Sequence, residues 1–238
     1  MQPSQMKRSF LLILALVAPL PTFAGGTLAA RMFDIAGAKS LPWASGAWDM
    51  QAGYDRQQLV KDTMALLTPQ TPVLVRMETM RRALIYANGG KAGDEAKFQT
   101  PGENLSRLLL DKLMARVEAA EHKGQADTLA LFDAGFFVES WRYSFDKGKA
   151  LPEVNGYELI KKASALQKTD ATMEFAAALI SLYRGDYRGD QSAYQQHLQK
   201  AVAGAEANSL LSRNMVRQLV GQGGTFEDLR AKAGLAQR

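Results

Sequence analysis

Hydrophobic side chains recur with the helical period over most of this chain, from about residue 54 onward. The clearest stretch is 194–205, where apolar residues recur at i, i+4, i+7, i+8 and i+11 and polar side chains fill positions between them. No segment shows the strict apolar–polar alternation of a half-buried strand. The pattern therefore predicts an all-α protein.

Proline, glycine and asparagine divide this region into separate helices, because these residues end helices or turn the chain. Thr71 and Asp170 are predicted N-caps, and Thr225 is the predicted cap of a last short helix. The almost wholly apolar run at 175–183 should be buried on most sides. The predicted helices lie at about 55–67, 72–88, 103–123, 126–147, 156–167, 170–184, around 194–205, at 209–220 and at 225–233.

The segment 25–53 has no helical period and is rich in glycine, alanine, serine and proline. It carries Trp43 and Trp48, and disordered linkers seldom contain tryptophan. Because each indole can bury a large area, we expect an extended segment that docks onto the helical region, 54–238, through these two rings.

Residues 1–24 have the organisation of an export signal. A basic pair precedes an unbroken apolar run at 10–18, and the small-x-small pattern of a signal-peptidase site ends at Ala24. The run is too short for a transmembrane helix, which needs about twenty residues. We therefore expect cleavage near Ala24, with Ala30 as an alternative, and a periplasmic or secreted mature chain without a transmembrane segment.

The composition narrows the possible partners and cofactors. The chain contains no cysteine, which excludes disulfides, thiolate metal sites and a lipoprotein anchor. An exported chain without cysteine fits a bacterial periplasm better than an animal secretory route. The formal charge of +5 falls to about +3 once the basic pair leaves with the signal, and charges of both signs are interspersed. This mixed surface predicts no nucleic-acid partner.

The predicted helices pair into hairpins: 72–88 with 103–123, 126–147 with 156–167, and 170–184 with the helix around 194–205. The helix at 209–220 then closes the stack as a C-terminal cap. Ala163 and Ala201 hold matching places in two successive hairpins, 38 residues apart. A repeat of this length is typical of stacked helical units.

The amino-acid sequence of the last hairpin resembles a tetratricopeptide repeat. The residues that carry the resemblance are Ala177-Ala178-Leu179, Tyr183, Gly185-Asp186-Tyr187, Ala193-Tyr194, Leu198 and Lys200-Ala201. Residues 188–191 look like an insertion, and the proline usual after the second helix is missing. The resemblance implies a solenoid of about three stacked hairpins, with an N-terminal helix and a groove that binds a protein or peptide.

In that family the first helices of the hairpins line the groove, so we expect the partner on the polar side of the helix at 126–147. The residues there are Glu139, Arg142 and Tyr143, and Arg184 lies at the end of the next first helix. The resulting hypothesis is an exported, non-enzymatic scaffold of the bacterial envelope that binds a protein or peptide partner.

Two alternatives remain open. Residues 136–140 (FFVES) resemble the catalytic Glu-Ser segment of lytic transglycosylases, in which Glu139 would act as general acid on a sugar bond. The downstream Gly-Leu-Met-Gln-like element of that family is absent, and the simpler interpretation places Glu139 on the outer face of its helix. Alternatively, the protein is a structural subunit of an envelope assembly, with Trp43 and Trp48 docked on a neighbour.

Other catalytic or cofactor chemistry is not indicated. The two histidines, His122 and His197, lack cysteine partners and an HExxH pattern, so we expect no metal site. His197 lies on the apolar side of its helix and is predicted to be a packed imidazole at the edge of the core. The chain has no G-x-S-x-G motif and no Walker spacing, and we expect no cofactor.

Overall fold

The computed structural model describes residues 27–89, 104–145, 154–167, 170–183 and 190–235, and the predicted signal, 1–24, lies outside these ranges. Within them the chain is all-α, as predicted, with one isolated β-bridge between Trp43 and Met50. Two 3-10 turns lie at Leu28–Ala30 and Arg56–Gln58. The helices are α1 (Leu59–Leu66), α2 (Val73–Ala87), α3 (Leu105–Glu121), α4 (Thr128–Arg142), α5 (Gly156–Leu166), α6 (Ala171–Ser181), α7 (Gln191–Ala203), α8 (Leu210–Leu219) and α9 (Phe226–Lys232).

Side-chain caps explain where the helices from α3 onward begin. Each cap residue accepts a hydrogen bond from a backbone N–H of the first turn, which typically contributes about 1 kcal/mol. The predicted caps Asp170 and Thr225 are confirmed, and Thr225 forms a full capping box with Asp228. For α2 the cap position is Pro72, one residue later than the predicted Thr71. The other caps are Asn104, Asp127, Asn155, Asp190 and Ser209.

Helices α4 and α5 form one closely packed hairpin, and α6 and α7 form a second that stacks on it through α5. Gly135 and Gly156 allow the close approach of α4 and α5, because a Cβ atom at Gly135 would lie 2.5 Å from the carbonyl oxygen of Gly156. The lack of a side chain at these two positions therefore sets how closely the two helices cross.

The first predicted hairpin differs from the sequence-based expectation. Helix α3 packs mainly against α4 and only slightly against α2, while α2 packs against α1, α4 and α6. Every residue of α2 except Arg82 and Ala87 is buried. The physical reason is that residues preceding α1 cover a large part of α2 and leave little of its surface for α3.

Candidate functional site

The N-terminal arm, which we define as residues 27–50, crosses α2, α4, α6 and α8; its 3-10 turn at Leu28–Ala30 is followed by an extended stretch at 31–35. In this stretch Phe33 and Ile35 are buried, whereas Met32 and Asp34 are partly exposed. This alternation with a period of two is that of an extended chain lying on a surface. The arm therefore occupies the face formed by these four helices, which we call the inner face.

Phe33 joins three of the helices. Its ring meets Phe136 of α4 edge-on at 6.3 Å and Phe175 of α6 at 6.2 Å. Its backbone N–H donates to Oε2 of Glu78 in α2 at 3.1 Å. Edge-to-face pairs of this kind contribute about 0.5–1.5 kcal/mol each beyond the area they bury. Phe33 is thus the apolar anchor of the arm.

Side chains of α8 bind the backbone of the arm. The side-chain amide of Asn214 accepts from the N–H of Asp34 at 2.8 Å and donates to the carbonyl of the same residue at 2.9 Å. The carbonyl of Met32 accepts from Gln218 and from Arg217. Because these contacts are made to backbone groups, they bind an extended chain largely irrespective of its side chains.

Buried charged side chains of α2 also bind the arm. Glu78 pairs with Arg81 and with Arg82, each at 2.8 Å, and Glu78 and Arg81 are almost fully buried. Arg81 also donates to the carbonyls of Ala29 and Ala47. A buried charge destabilises a fold unless it is paired and hydrogen-bonded, and here the arm supplies part of that bonding.

Both tryptophans of the arm contact the helical region, as the sequence indicated. The Trp43 ring lies 4.9 Å from the guanidinium carbon of Arg81 and 5.6 Å from that of Arg82. Trp48 meets Phe145, which follows α4, edge-on at 6.0 Å. The indoles therefore contribute cation–π and aromatic contacts, and both remain partly exposed.

Glu139 does not lie on an outer face, so this part of the sequence-based placement is corrected. It is only 3% exposed, and its carboxylate accepts from the N–H of Gly156 at 2.9 Å and lies 3.5 Å from Arg142. Arg142 in turn donates to the carbonyl of Val154. Both side chains thus bind the segment that begins α5. A carboxylate engaged in this way is poorly placed to protonate a substrate.

Tyr143 takes part in a half-exposed surface at the end of α4. Its ring lies 6.1 Å from that of Tyr183, which follows α6, and Nε of Arg31 donates to the Tyr183 hydroxyl at 2.6 Å. The Arg31 guanidinium also lies over the Tyr183 ring at 5.6 Å. We call Arg31, Tyr143 and Tyr183 the tyrosine–arginine patch. The fourth predicted partner-binding residue, Arg184, lies outside the described residues.

A buried relay that the sequence analysis did not identify joins α5, α6 and α7. Nε2 of His197 lies 2.8 Å from the hydroxyl of Tyr157, and Nδ1 lies 2.6 Å from Oε2 of Glu174. Burial raises the pKa of Glu174, but the hydrogen bond and charge of His197 and the charge of Lys200 outweigh it, so the pKa lies below its ordinary value. His197 is 7% exposed, which confirms the predicted packed imidazole.

The order carboxylate, imidazole, hydroxyl in this relay is the one that activates a nucleophile. However, an attacking hydroxyl must contact its substrate, and the Tyr157 side chain is buried beneath its neighbours at 6% exposure. The spacing of 40 residues between Tyr157 and His197 is close to the hairpin repeat. The relay therefore joins successive hairpins through buried hydrogen bonds.

A second buried ionic cluster lies between α2, α3 and α4. Asp133 accepts from Arg76 at 2.6 Å and from Arg116 at 3.2 Å, and its other oxygen finds no donor among the described residues. Burial outweighs the two arginines and raises the pKa of Asp133 to about 6. Arg116 also lines a shallow cleft of about 440 Å³ with Lys123 and Asp127. Arg76 further donates to the carbonyl groups at 68 and 71, so it fixes the turn before α2.

Among the described residues, no group of three or more histidine, aspartate or glutamate side chains could hold a metal ion. No helix in the described ranges combines the length and apolar character needed to cross a bilayer. Comparison with protein-family models, with curated proteins and with solved structures finds no match to this chain.

Proposed function

We propose that this protein is an exported, non-enzymatic scaffold of the bacterial cell envelope that binds a protein or peptide partner. The observation that supports this most is the binding of an extended chain on the inner face by side chains of α2 and α8. Stacked helical hairpins offer extended surfaces of this kind for recognition. Export rests on the signal predicted at 1–24.

The tyrosine–arginine patch is the surface we assign to the partner, because the arm already occupies the inner face. Tyrosine and arginine are the residue types enriched at the energetic centres of protein interfaces. Arg31, Tyr143 and Tyr183 are each partly exposed and come from three distant parts of the chain. Their rings and guanidinium are ordered by mutual contacts before any partner arrives, which lowers the entropy cost of binding.

Site-specific photocrosslinking tests this assignment. The mature protein would carry a photoreactive phenylalanine analogue at Tyr143 or, as matched control, at Gln199, which is exposed on α7. Irradiation in periplasmic extract should give one dominant adduct from position 143 and none of that mass from position 199. The same adducts from both positions, or none from either, would contradict the proposal.

A separate assay addresses the enzymatic alternative. The purified protein would be incubated with peptidoglycan, and the soluble fraction examined for released muropeptides. We expect no release. If the wild type releases muropeptides and Glu139→Gln abolishes this release, the protein is a lytic enzyme and not a scaffold. Glu139 would then act in spite of its contacts with Gly156 and Arg142.

A further inference from the structure

The bonds that hold the arm do not depend on its belonging to the same chain. The N–H of Phe33 reaches Glu78 across 45 residues of sequence, and the guanidinium of Arg31 reaches the carbonyl of Gln218 across 187. The bonds from Glu78 and Asn214 join side chains of the helical region to the backbone of the arm, whereas Arg31 contributes a side chain of the arm to a backbone carbonyl of α8. An arm presented in the same direction by another molecule would make all of them.

The connection between the arm and α1 begins with an exposed turn and continues to the 3-10 turn at Arg56–Gln58. Gln51, Ala52 and Gly53 are exposed, and Gly53 has a φ of +79°, which residues with a Cβ rarely adopt. We call these three residues the hinge. The turn directs the arm back over its own helices. If the hinge straightened, it would span up to about 10 Å and carry the arm away from them.

The inner face also has positions that select side chains, and this chain satisfies them. Ala29 is 1% exposed, so the residue at this position lies in the core. Phe33 fills the slot between Phe136 and Phe175, and Arg31 bonds to Tyr183. A small residue, an arginine and a phenylalanine at alternate positions therefore define the segment that fits, and residues 29–33 supply it.

We propose that the partner of the inner face is the arm of a second copy, so that two molecules exchange residues 27–50 and form a closed dimer. Reciprocal exchange uses the same contacts twice and leaves no surface open, which is typical of domain-swapped pairs. Leu28, Phe33 and Leu41, which are almost fully buried within the single chain, would then be buried across the interface. This association is additional to the partner proposed at the tyrosine–arginine patch.

The hinge decides between the monomer and the dimer. A short tether holds its own segment at an effective concentration of the order of millimolar. The arm therefore closes on its own chain in dilute solution, and exchange requires folding at a comparable local concentration or a hinge that cannot turn. Both conditions can be imposed experimentally.

Engineered cysteines report exchange directly, because the natural chain contains none. Oγ of Ser40 in the arm lies 2.9 Å from Oγ1 of Thr79 in α2, so cysteines at these two positions are close enough for a disulfide. Copies with Ser40→Cys and copies with Thr79→Cys would be mixed, unfolded, refolded at about 1 µM or about 1 mM, and oxidised. We expect a covalent heterodimer that increases at least about tenfold at the higher concentration.

Two controls make this result specific. Thr79 is fully buried, so Thr79→Cys copies alone should give no covalent dimer. The double variant, refolded at the lower concentration, should form the bond within one chain. Heterodimer yield that stays at the background of the single variants at both concentrations, while the double variant bonds internally, would overturn the proposal.

Deletion of Ala52 and Gly53 decides the question independently of disulfide geometry. Without these residues the arm cannot turn back onto its own chain, but it can still reach another copy. We expect twice the wild-type mass in light scattering, whereas Gly53→Asn, which tolerates the positive φ, should remain a monomer. A monomeric deletion variant, folded or unfolded, would overturn the exchange without affecting the crosslink expected at Tyr143.

Discussion

Replacing Gly135 by alanine perturbs the crossing of α4 and α5 with one methyl group. The added Cβ would lie 2.5 Å from the carbonyl oxygen of Gly156, 2.8 Å from Cγ1 of Ile160 and 3.1 Å from Cβ of Leu159. The nearest neighbour is a backbone atom, which cannot rotate away. The two helices must therefore separate until this contact exceeds 3.0 Å, a distance below which real Cβ atoms essentially never lie.

Three effects set the size of the change in the free energy of unfolding. Overpacking of this kind costs about 1–3 kcal/mol. Separation also stretches the 2.9 Å bond from the Gly156 N–H to Glu139, and a buried group that loses its partner costs about 1–3 kcal/mol. Alanine is the better helix former by about 1 kcal/mol. We expect a net loss of about 3 kcal/mol, or about 6–12 °C in Tm for a chain of this size.

Urea denaturation followed by circular dichroism, together with thermal unfolding, measures this loss. Ala115→Gly is the matched control, because Ala115 is exposed in the middle of α3 and its change alters helix propensity alone. That variant should lose about 1 kcal/mol. If Gly135→Ala is as stable as the wild type, the close crossing does not constrain the hairpin and the reasoning is refuted.

Four further predictions concern the buried polar groups. His197→Phe removes the hydrogen-bonded partner of the buried Glu174 carboxylate and leaves it only Lys200, at 3.8 Å, so it should lower the free energy of unfolding by about 3–5 kcal/mol in urea titrations; an unchanged midpoint would contradict this. The pKa of Glu174 lies below its ordinary value of 4.5. The contribution of Glu174 to stability is therefore complete above pH 4.5 and is lost as the pH falls below 4.5. The stability of the His197→Phe variant should lack this dependence on acid pH. The pH dependence of stability expected from Asp133 runs in the opposite direction. Its pKa is raised from 3.8 to about 6, so its ionisation should lower the stability as the pH rises through this interval. Asp133→Asn should flatten that part of the stability profile, which thermal unfolding measures. Asn214→Leu removes two hydrogen bonds to Asp34, worth about 2 kcal/mol together, and should increase amide exchange of Asp34 by more than about tenfold in a hydrogen-exchange measurement; unchanged exchange would show that α8 does not hold the arm.

The helices themselves were predictable, because their signals are local. The stops and caps that end each periodic stretch lie within a few residues of the helix they bound, and Asp170 and Thr225 cap the helices to which the sequence assigned them. Helix α4 ends at Arg142, earlier than the predicted 147. The apolar run at 175–183 showed that α6 would be buried, and all of its side chains from Met173 to Ser181 are.

The placement of Glu139 was not predictable in the same way. A glutamate within a helix is usually solvated, and its neighbours along the chain give no indication of the N–H group that it binds. That group belongs to Gly156, 17 residues later and on the next helix. The same limit applies to His197, whose partners Tyr157 and Glu174 lie 40 and 23 residues away. Periodicity shows which face a residue shares but not which distant group meets it.

Helix α2 shows the largest difference between pattern and structure. Glu78, Arg81 and Arg82 lie on its polar side, and a helical pattern assigns such a side to solvent. In the structure these charges are covered by residues 29–47 of the arm, which lie upstream in the chain and have no helical period of their own. In the sequence, only Trp43 and Trp48 indicated that the arm covers a helix, because two indoles in an irregular segment require a surface to pack against.

The buried charges of α2 and the irregular arm therefore explain one another. A stack of helices without the arm would leave Glu78, Arg81 and Arg82 paired among themselves and open to water; once this face is covered, carbonyl groups of the arm supply the hydrogen bonds that water would otherwise make. An extended segment has these groups free, whereas a helix has satisfied them internally. A polar helix face that must be buried thus selects an extended partner over a helical one. That selection is the physical reason why the inner face of this protein is a site for an extended chain, whichever molecule provides it.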